Sequence, residues 1–328
     1  MRDRSWLAPS LVLTAMLGLT ALLLMPNTSG VLPALGLLPL WMFVSAALAA
    51  IYTFFAMLAA GIKDPLAYLV NRARTHWREL AMAAVGMTVA GLNMCAFMWS
   101  KPLLNHYVEF RADPALAALD RMLFLGIDPW RLFDWLNSGA LAIFYHRGWF
   151  AMMIVTLLLV LTRPPSPQKS AVMLTYFLLW SVAGPVIHLA VPAAGPIFYQ
   201  RLGYGDAFAG IAPVEEITQV ADYLWQVYQG SRFGPASGIS AMPSLHIATS
   251  AWMMIAVVVF ARRWAPVMAA LTALIFVLSI SFGWHYASDG IVGGVAAVLL
   301  HRLCLWFYRD RAAALRTRGP QPIVPAEA

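Results

Sequence analysis

Long apolar runs, each close to membrane-spanning length, constrain this chain before any single residue does. Eight can be marked, at 7–25, 36–61, 80–99, 145–162, 170–191, 243–261, 265–283 and 288–307. A helix needs about 20 apolar residues to cross the hydrocarbon core of a bilayer. Charged residues make up only 11% of the 328 and hydrophobic ones 61%, whereas a soluble domain carries about 25% charged residues. Lipid cannot satisfy a backbone N–H or C=O, and no run alternates as a barrel strand does. The expectation is an all-α polytopic membrane helix bundle of about eight transmembrane helices. The first run follows Arg2 and Arg4 but is long for a secretory signal. Met25-Pro26-Asn27 is not a small-residue cleavage site, so the run reads as a retained helix.

Basic residues orient the bundle. With a cytoplasmic N-terminus, the cytoplasmic segments hold 15 of the 22 Lys and Arg residues but only 5 of the 15 Asp and Glu residues. That asymmetry predicts cytoplasmic termini and assigns the formal charge of +7 to a membrane surface. No nucleic-acid partner is needed. The long connections 100–144 and 192–242 then lie on the exoplasmic side, the first with the aromatic and charged mixture of short interfacial helices. Asp120 and Asp128 read as anchors of that loop. Cys95 and Cys304 lie in apolar runs and read as core residues, without a disulfide or metal role.

The same topology brings two histidines to one face. The runs 243–261 and 265–283 form a hairpin turning at Arg262-Arg263, so His246, His285 and Asp289 share its exoplasmic end. Pro243 suits the first position of a helix, because its missing N–H would be unpaired there. The amides of Ser244, Leu245 and His246 would then face outward at the positive end of the helix dipole, a ready anion site. His285 and Asp289 are four residues apart, so a helix puts them on one face. A carboxylate there can take the proton of one ring nitrogen and leave the other a directed lone pair, suited to a nucleophile or base. His188 is assigned to helix packing, and His76, His106, His146 and His301 carry no partner pattern.

Pro243-Ser244-Leu245-His246 and the His-Tyr-x-x-Asp-x-x-x-Gly pattern at His285, Tyr286, Asp289 and Gly293 resemble two motifs of the type-2 phosphatidic acid phosphatase superfamily. Their form is most similar to the inositol phosphorylceramide synthase branch. The resemblance implies a six-helix catalytic core over residues 80–308. It makes 1–79 an addition of two helices and a basic cytoplasmic loop; the tail 309–328, with Gly319-Pro320 and Pro322, reads from its composition as disordered and cytoplasmic. It further implies that His285 attacks phosphorus to form a phosphohistidine while Asp289 orients its ring. His246 would protonate the leaving oxygen, and Ser244 with nearby amides such as that of Leu245 would hold the phosphoryl oxygens. No metal or other cofactor is implied.

The chain departs from the usual pattern of that superfamily in its cations. Where that pattern has Ser-Arg six to seven residues before the nucleophilic histidine, this chain has Leu278 and Ser279. The pattern's Lys-x6-Arg-Pro motif is absent. Arg201, in Gly195-Pro196-Ile197-Phe198-Tyr199-Gln200-Arg201, and Arg232 are the substitutes within reach of the sequence pattern. The reading is an integral-membrane lipid phosphotransferase, with a phospholipid donor and a lipid or alcohol acceptor, at the exoplasmic face. Within enzymes, the alternative is a lipid phosphate phosphatase using water. A lipid transporter or non-catalytic lipid-binding membrane protein would be a different class, but no intramembrane charge pair or repeated broken helix points there.

Overall fold

The computed structural model describes residues 5–317 except 27, 29 and 231–236, with side chains described as far as Asp310. Its helices are α1 (Leu7–Leu24), α2 (Val31–Ala59), α3 (Pro65–Thr75) and α4 (Trp77–Tyr107), then α5 (Asp113–Leu123) and α6 (Pro129–Phe133). They continue with α7 (Gly139–Leu161), α8 (Pro167–Ala190), α9 (Glu215–Gln229), α10 (Leu245–Phe260), α11 (Ala265–Ser281) and α12 (Ala287–Thr317). Among the described residues, seven helices are long and apolar enough to cross a membrane. Large side chains such as Met16, Leu23, Phe43 and Phe54 stand exposed around the outside, as lipid-facing surface should. The chain is a multi-pass membrane protein. α12 runs on through Arg309 to Thr317, and residues 318–328 lie outside the described residues.

The sixth run, 243–261, departs from the expectation. α10 has 16 residues, about 24 Å at 1.5 Å per residue, less than the roughly 30 Å of a hydrocarbon core. Its missing length is made up by a non-helical approach that is itself buried: Ala241, Met242 and Ser244 are 1%, 4% and 0% exposed. Irregular backbone at membrane depth is tolerated only where protein surrounds it and satisfies its polar groups. The segment that carries the Pro-Ser-Leu-His motif is therefore sunk in the bundle.

α10 is the central element, packed on α7, α11 and α12, while α8 packs on α12. The two N-terminal helices join the bundle: α1 packs on α4 and α8, and α2 on α4 and α7. Trp6 is buried, and Trp41 donates its indole N–H to the Met87 carbonyl (3.0 Å). Asn93 of α4 donates to Thr14 Oγ1 (3.0 Å) and Ser181 Oγ (2.8 Å), joining α1 to α8. At the opposite end from the histidines, Ser166 caps α8 by accepting from the Lys169 amide (3.1 Å). The Lys169 ammonium donates to the Leu161 and Arg163 carbonyls (2.8 and 2.7 Å).

The connection between α4 and α7 folds over the histidine end as α5 and α6. On α5, Asp113, Leu116, Ala117 and Asp120 are the buried residues. They recur at i, i+3, i+4 and i+7, the inward stripe of an amphipathic helix. Asp128 accepts two hydrogen bonds from Arg121 (3.0 and 2.8 Å) and lies 3.5 Å from Arg131, pinning α5 to α6.

Candidate active site

Three loops meet at the end of α10. The residues before α10, those joining α11 to α12, and those following α8 are laced by backbone bonds. The Ala241 amide donates to the Ala193 carbonyl (2.8 Å), Ile197 to Gly283 (2.8 Å) and Ser244 to Asp289 (3.0 Å). Gly293 permits the last of these, since a Cβ there would stand 2.5 Å from the Ser244 carbonyl oxygen. Gly195 has φ +105°, and a Cβ would lie 2.4 Å from the Trp284 carbonyl oxygen. Only glycine fits that approach without strain.

The helix start differs from the expected one. α10 begins at Leu245, with Ser244 as N-cap and Pro243 before it, after a cis Met242–Pro243 bond. The Ser244 hydroxyl accepts from the Ile247 amide (3.4 Å), and the Ser244 amide is taken by Asp289. A serine that caps its own helix displaces proline from the first helical position. The amides of Leu245 and His246 remain at the helix start, where they donate to no acceptor among the described residues.

His246 is fixed by packing. Its ring stacks on Tyr145 (4.5 Å between centroids), lies 4.3 Å from Trp149, and the Trp149 indole donates to its carbonyl (3.1 Å). Tyr145 and His146 come from a π-helical turn, Phe144–Gly148, that widens α7 beside the site, a common place for such turns. His146 lies 6.3 Å from His246, a neighbour with no sequence pattern to announce it. The rings of His246 and His285 are 6.2 Å apart.

His285 precedes α12 rather than belonging to it, and is 6% exposed. Its Nδ1 lies 2.8 Å from the Ala241 carbonyl oxygen and 3.6 Å from Asp289 Oδ2. A carbonyl oxygen only accepts, so Nδ1 carries the proton and Nε2 of the neutral ring keeps a lone pair. The carbonyl, nearer than the carboxylate, makes the orienting hydrogen bond. Asp289 instead accepts from the Tyr286 amide (2.8 Å), fully buried beside the ring.

Two further carboxylates hold this arrangement, and sequence reasoning missed one of them. Asp113 accepts from the amides of Ala194 (3.0 Å) and Gly195 (2.8 Å) and from the Tyr286 hydroxyl (3.0 Å). Asp120 accepts from the Ala287 and Ser288 amides (2.5 and 3.0 Å), closing the N-terminus of α12. Burial pushes both carboxyls up from their ordinary range, against the pull of their donors. Burial and the neighbouring Asp113 hold the Tyr286 hydroxyl far above its usual range, so it remains a donor.

The structure thus brings together His246, His285, Asp289, Ser244 and Leu245. Arg201 stands apart, its guanidinium 2.5 Å from Asp222 and over the Trp225 ring at 6.0 Å. Arg232 lies outside the described residues. His188 does more than pack: its Nδ1 is hydrogen-bonded with Ser240 Oγ (2.9 Å). Among the described residues, no group of three or more His, Cys, Asp or Glu is arranged to hold a metal ion.

Residues 114–303, more than half of the chain, match the model of the PAP2 superfamily, the type-2 phosphatidic acid phosphatases. No curated protein and no solved structure matches. The chain belongs to the PAP2 superfamily.

Proposed function

Taking that membership as the premise, we propose that this multi-pass membrane protein transfers a phosphoryl head group between lipids through a phosphohistidine on His285. The observation that carries the reading is the bond from His285 Nδ1 to the Ala241 carbonyl, 2.8 Å long. It leaves Nε2 as the nucleophile, with His246 across a 6.2 Å gap between ring centres. Reacting contacts of about 3 Å fit a phosphoryl group into such a gap. In the first step Nε2 attacks phosphorus, the bond to the donor's alcohol oxygen breaks, and His246 gives that oxygen a proton. In the second, the acceptor alcohol yields its proton to His246, its oxygen bonds phosphorus and the N–P bond breaks.

The Asp289 carboxylate supports the positive charge that the ring gains on phosphorylation. The free amides of Leu245 and His246, with the O–H of Ser244, donate where oxygen charge develops. To hold a phosphoryl group, Arg201 would have to leave Asp222. The histidine motifs favour the inositol phosphorylceramide synthase branch. The charge asymmetry favours cytoplasmic termini and an exoplasmic site. Incubation of the purified protein with a radiolabelled phospholipid and an acceptor lipid tests the reading. A new labelled lipid is the expected product. Free phosphate would assign the protein to the phosphatases, and an unchanged phospholipid would remove the enzymatic reading.

A further inference from the structure

A phosphoryl site needs a cation, and three arginines near this end of the bundle are engaged. Arg201 is paired with Asp222, and Arg121 and Arg131 share Asp128. Lys101 is not so engaged: it forms no hydrogen bond or ion pair with a described residue. It lies in the last two turns of α4, outside the residues that match the family.

The buried approach to α10 is anchored residue by residue, and Lys101 is one of its anchors. Gly238 lies so close to α4 that a Cβ would come within 2.6 Å of the Lys101 carbonyl carbon and Cγ. One turn further on, Asn105 clasps the next residue: its amide donates to the Ile239 carbonyl and its oxygen accepts from the Ile239 N–H, both 2.7 Å. Residues four apart share a helix face, so the face of α4 that carries Lys101 is turned to this segment. Ser240 then meets His188 (2.9 Å), and the Ala241 carbonyl meets His285 (2.8 Å). Only Ile239 and Ser240 therefore separate the residue packed on Lys101 from the one that orients His285. The Lys101 ammonium is within electrostatic reach of both His246 and His188. His188 is fully buried, and its Nε2 has no hydrogen-bond partner among the described residues.

We propose that Lys101 is the cation that holds the phosphoryl oxygens between His246 and His285, in a site for a phosphodiester of single negative charge. The proposal rests on the phosphoryl-transfer reading and adds the residue that grips the substrate. An ammonium is a compact point charge with three donors, whereas a guanidinium grips two oxygens as a planar fork. One half-buried lysine balances a phosphodiester, which has one charge. A phosphomonoester, with nearly two, would be left undercompensated. Gly238 lets the lysine stem lie against the segment that also positions His285, which couples substrate grip to nucleophile orientation.

Orthovanadate, a phosphoryl mimic, separates the possibilities. Its affinity for the full-length protein in detergent would be read from the vanadate-dependent shift in thermal unfolding. Wild type, K101M, K101R and R201A would be compared. Losing a charge-assisted contact costs about tenfold or more. K101M should therefore bind at least about tenfold more weakly with its vanadate-free melting unchanged, K101R should fall between, and R201A should match wild type. Wild-type affinity in K101M with weakening in R201A would overturn the assignment and leave the phosphoryl reading standing. Weak binding in K101M and K101R together with lowered vanadate-free melting would make Lys101 a packing residue, and overturn it too. Absence of vanadate binding by wild type would remove both readings at once.

Discussion

Asp113→Ala tests whether α5 holds the active-site loops. The Asp113 side chain is fully buried, and its carboxylate accepts from two loop amides and the Tyr286 hydroxyl. Truncation leaves three buried donors without an acceptor, at about 1–3 kcal/mol each, or roughly 3–9 kcal/mol gross. Against this stands the desolvation of the carboxylate, which truncation relieves. Burial outweighs the three donors in setting the Asp113 pKa, so the net loss belongs near the lower end, about 3 kcal/mol. Asp113→Asn keeps an acceptor oxygen and the side-chain volume, and should lose about half as much. The assay is equilibrium unfolding in mixed micelles titrated with sodium dodecyl sulfate, run beside phospholipid turnover. Both variants should also lose turnover, because the donors Gly195 and Tyr286 lie beside Ala241, whose carbonyl orients His285, and beside His285 itself. Asp113→Ala within about 0.5 kcal/mol of wild type, with full turnover, would refute the clamp.

Other perturbations probe separate parts of the account. Gly195→Ala places a Cβ 2.4 Å from the Trp284 carbonyl oxygen at φ +105°; turnover should fall, with a stability loss of about 1–3 kcal/mol in the same titration. His246→Ala should reduce turnover by about 10²–10⁴-fold, the usual worth of a general acid–base. Activity within a few-fold of wild type would give the proton transfer to another group, with His146, 6.3 Å away, the nearest histidine that has no other role in the reaction. Asn93→Ala removes the bonds to Thr14 and Ser181 and should cost about 1 kcal/mol, with turnover unchanged.

The bundle and the meeting of His246 with His285 were legible because both follow from apolar run length and from hairpin return. Asp289 beside His285 followed from spacing, although the nearer hydrogen-bond partner is the Ala241 carbonyl. A backbone oxygen has no signature in sequence. The helix start was misplaced because Pro243 and Ser244 compete as start signals, and tertiary burial decided for the serine cap. Asp113 was missed because its partners lie 81, 82 and 173 residues away. Yet the signal existed: Asp113, Leu116, Ala117 and Asp120 mark one face of a short helix, with acids at both ends of the buried stripe. Lys101 falls in the 100–144 connection read as exoplasmic, and only the approach of Gly238 to α4 sets it beside the segment that orients His285. The wide turn that brings Tyr145 and His146 to His246 has no pattern visible in residues 144–148.

The central claim is that His285 takes up phosphorus. The direct measurement is a brief incubation of the full-length protein with phospholipid labelled at phosphorus, quenched in alkali and mapped by peptide mass spectrometry. An acid-labile, alkali-stable phosphate on His285, absent in His285→Ala and discharged by acceptor lipid, is the predicted result. Turnover without any such label on His285, or full activity in His285→Ala, would contradict the account.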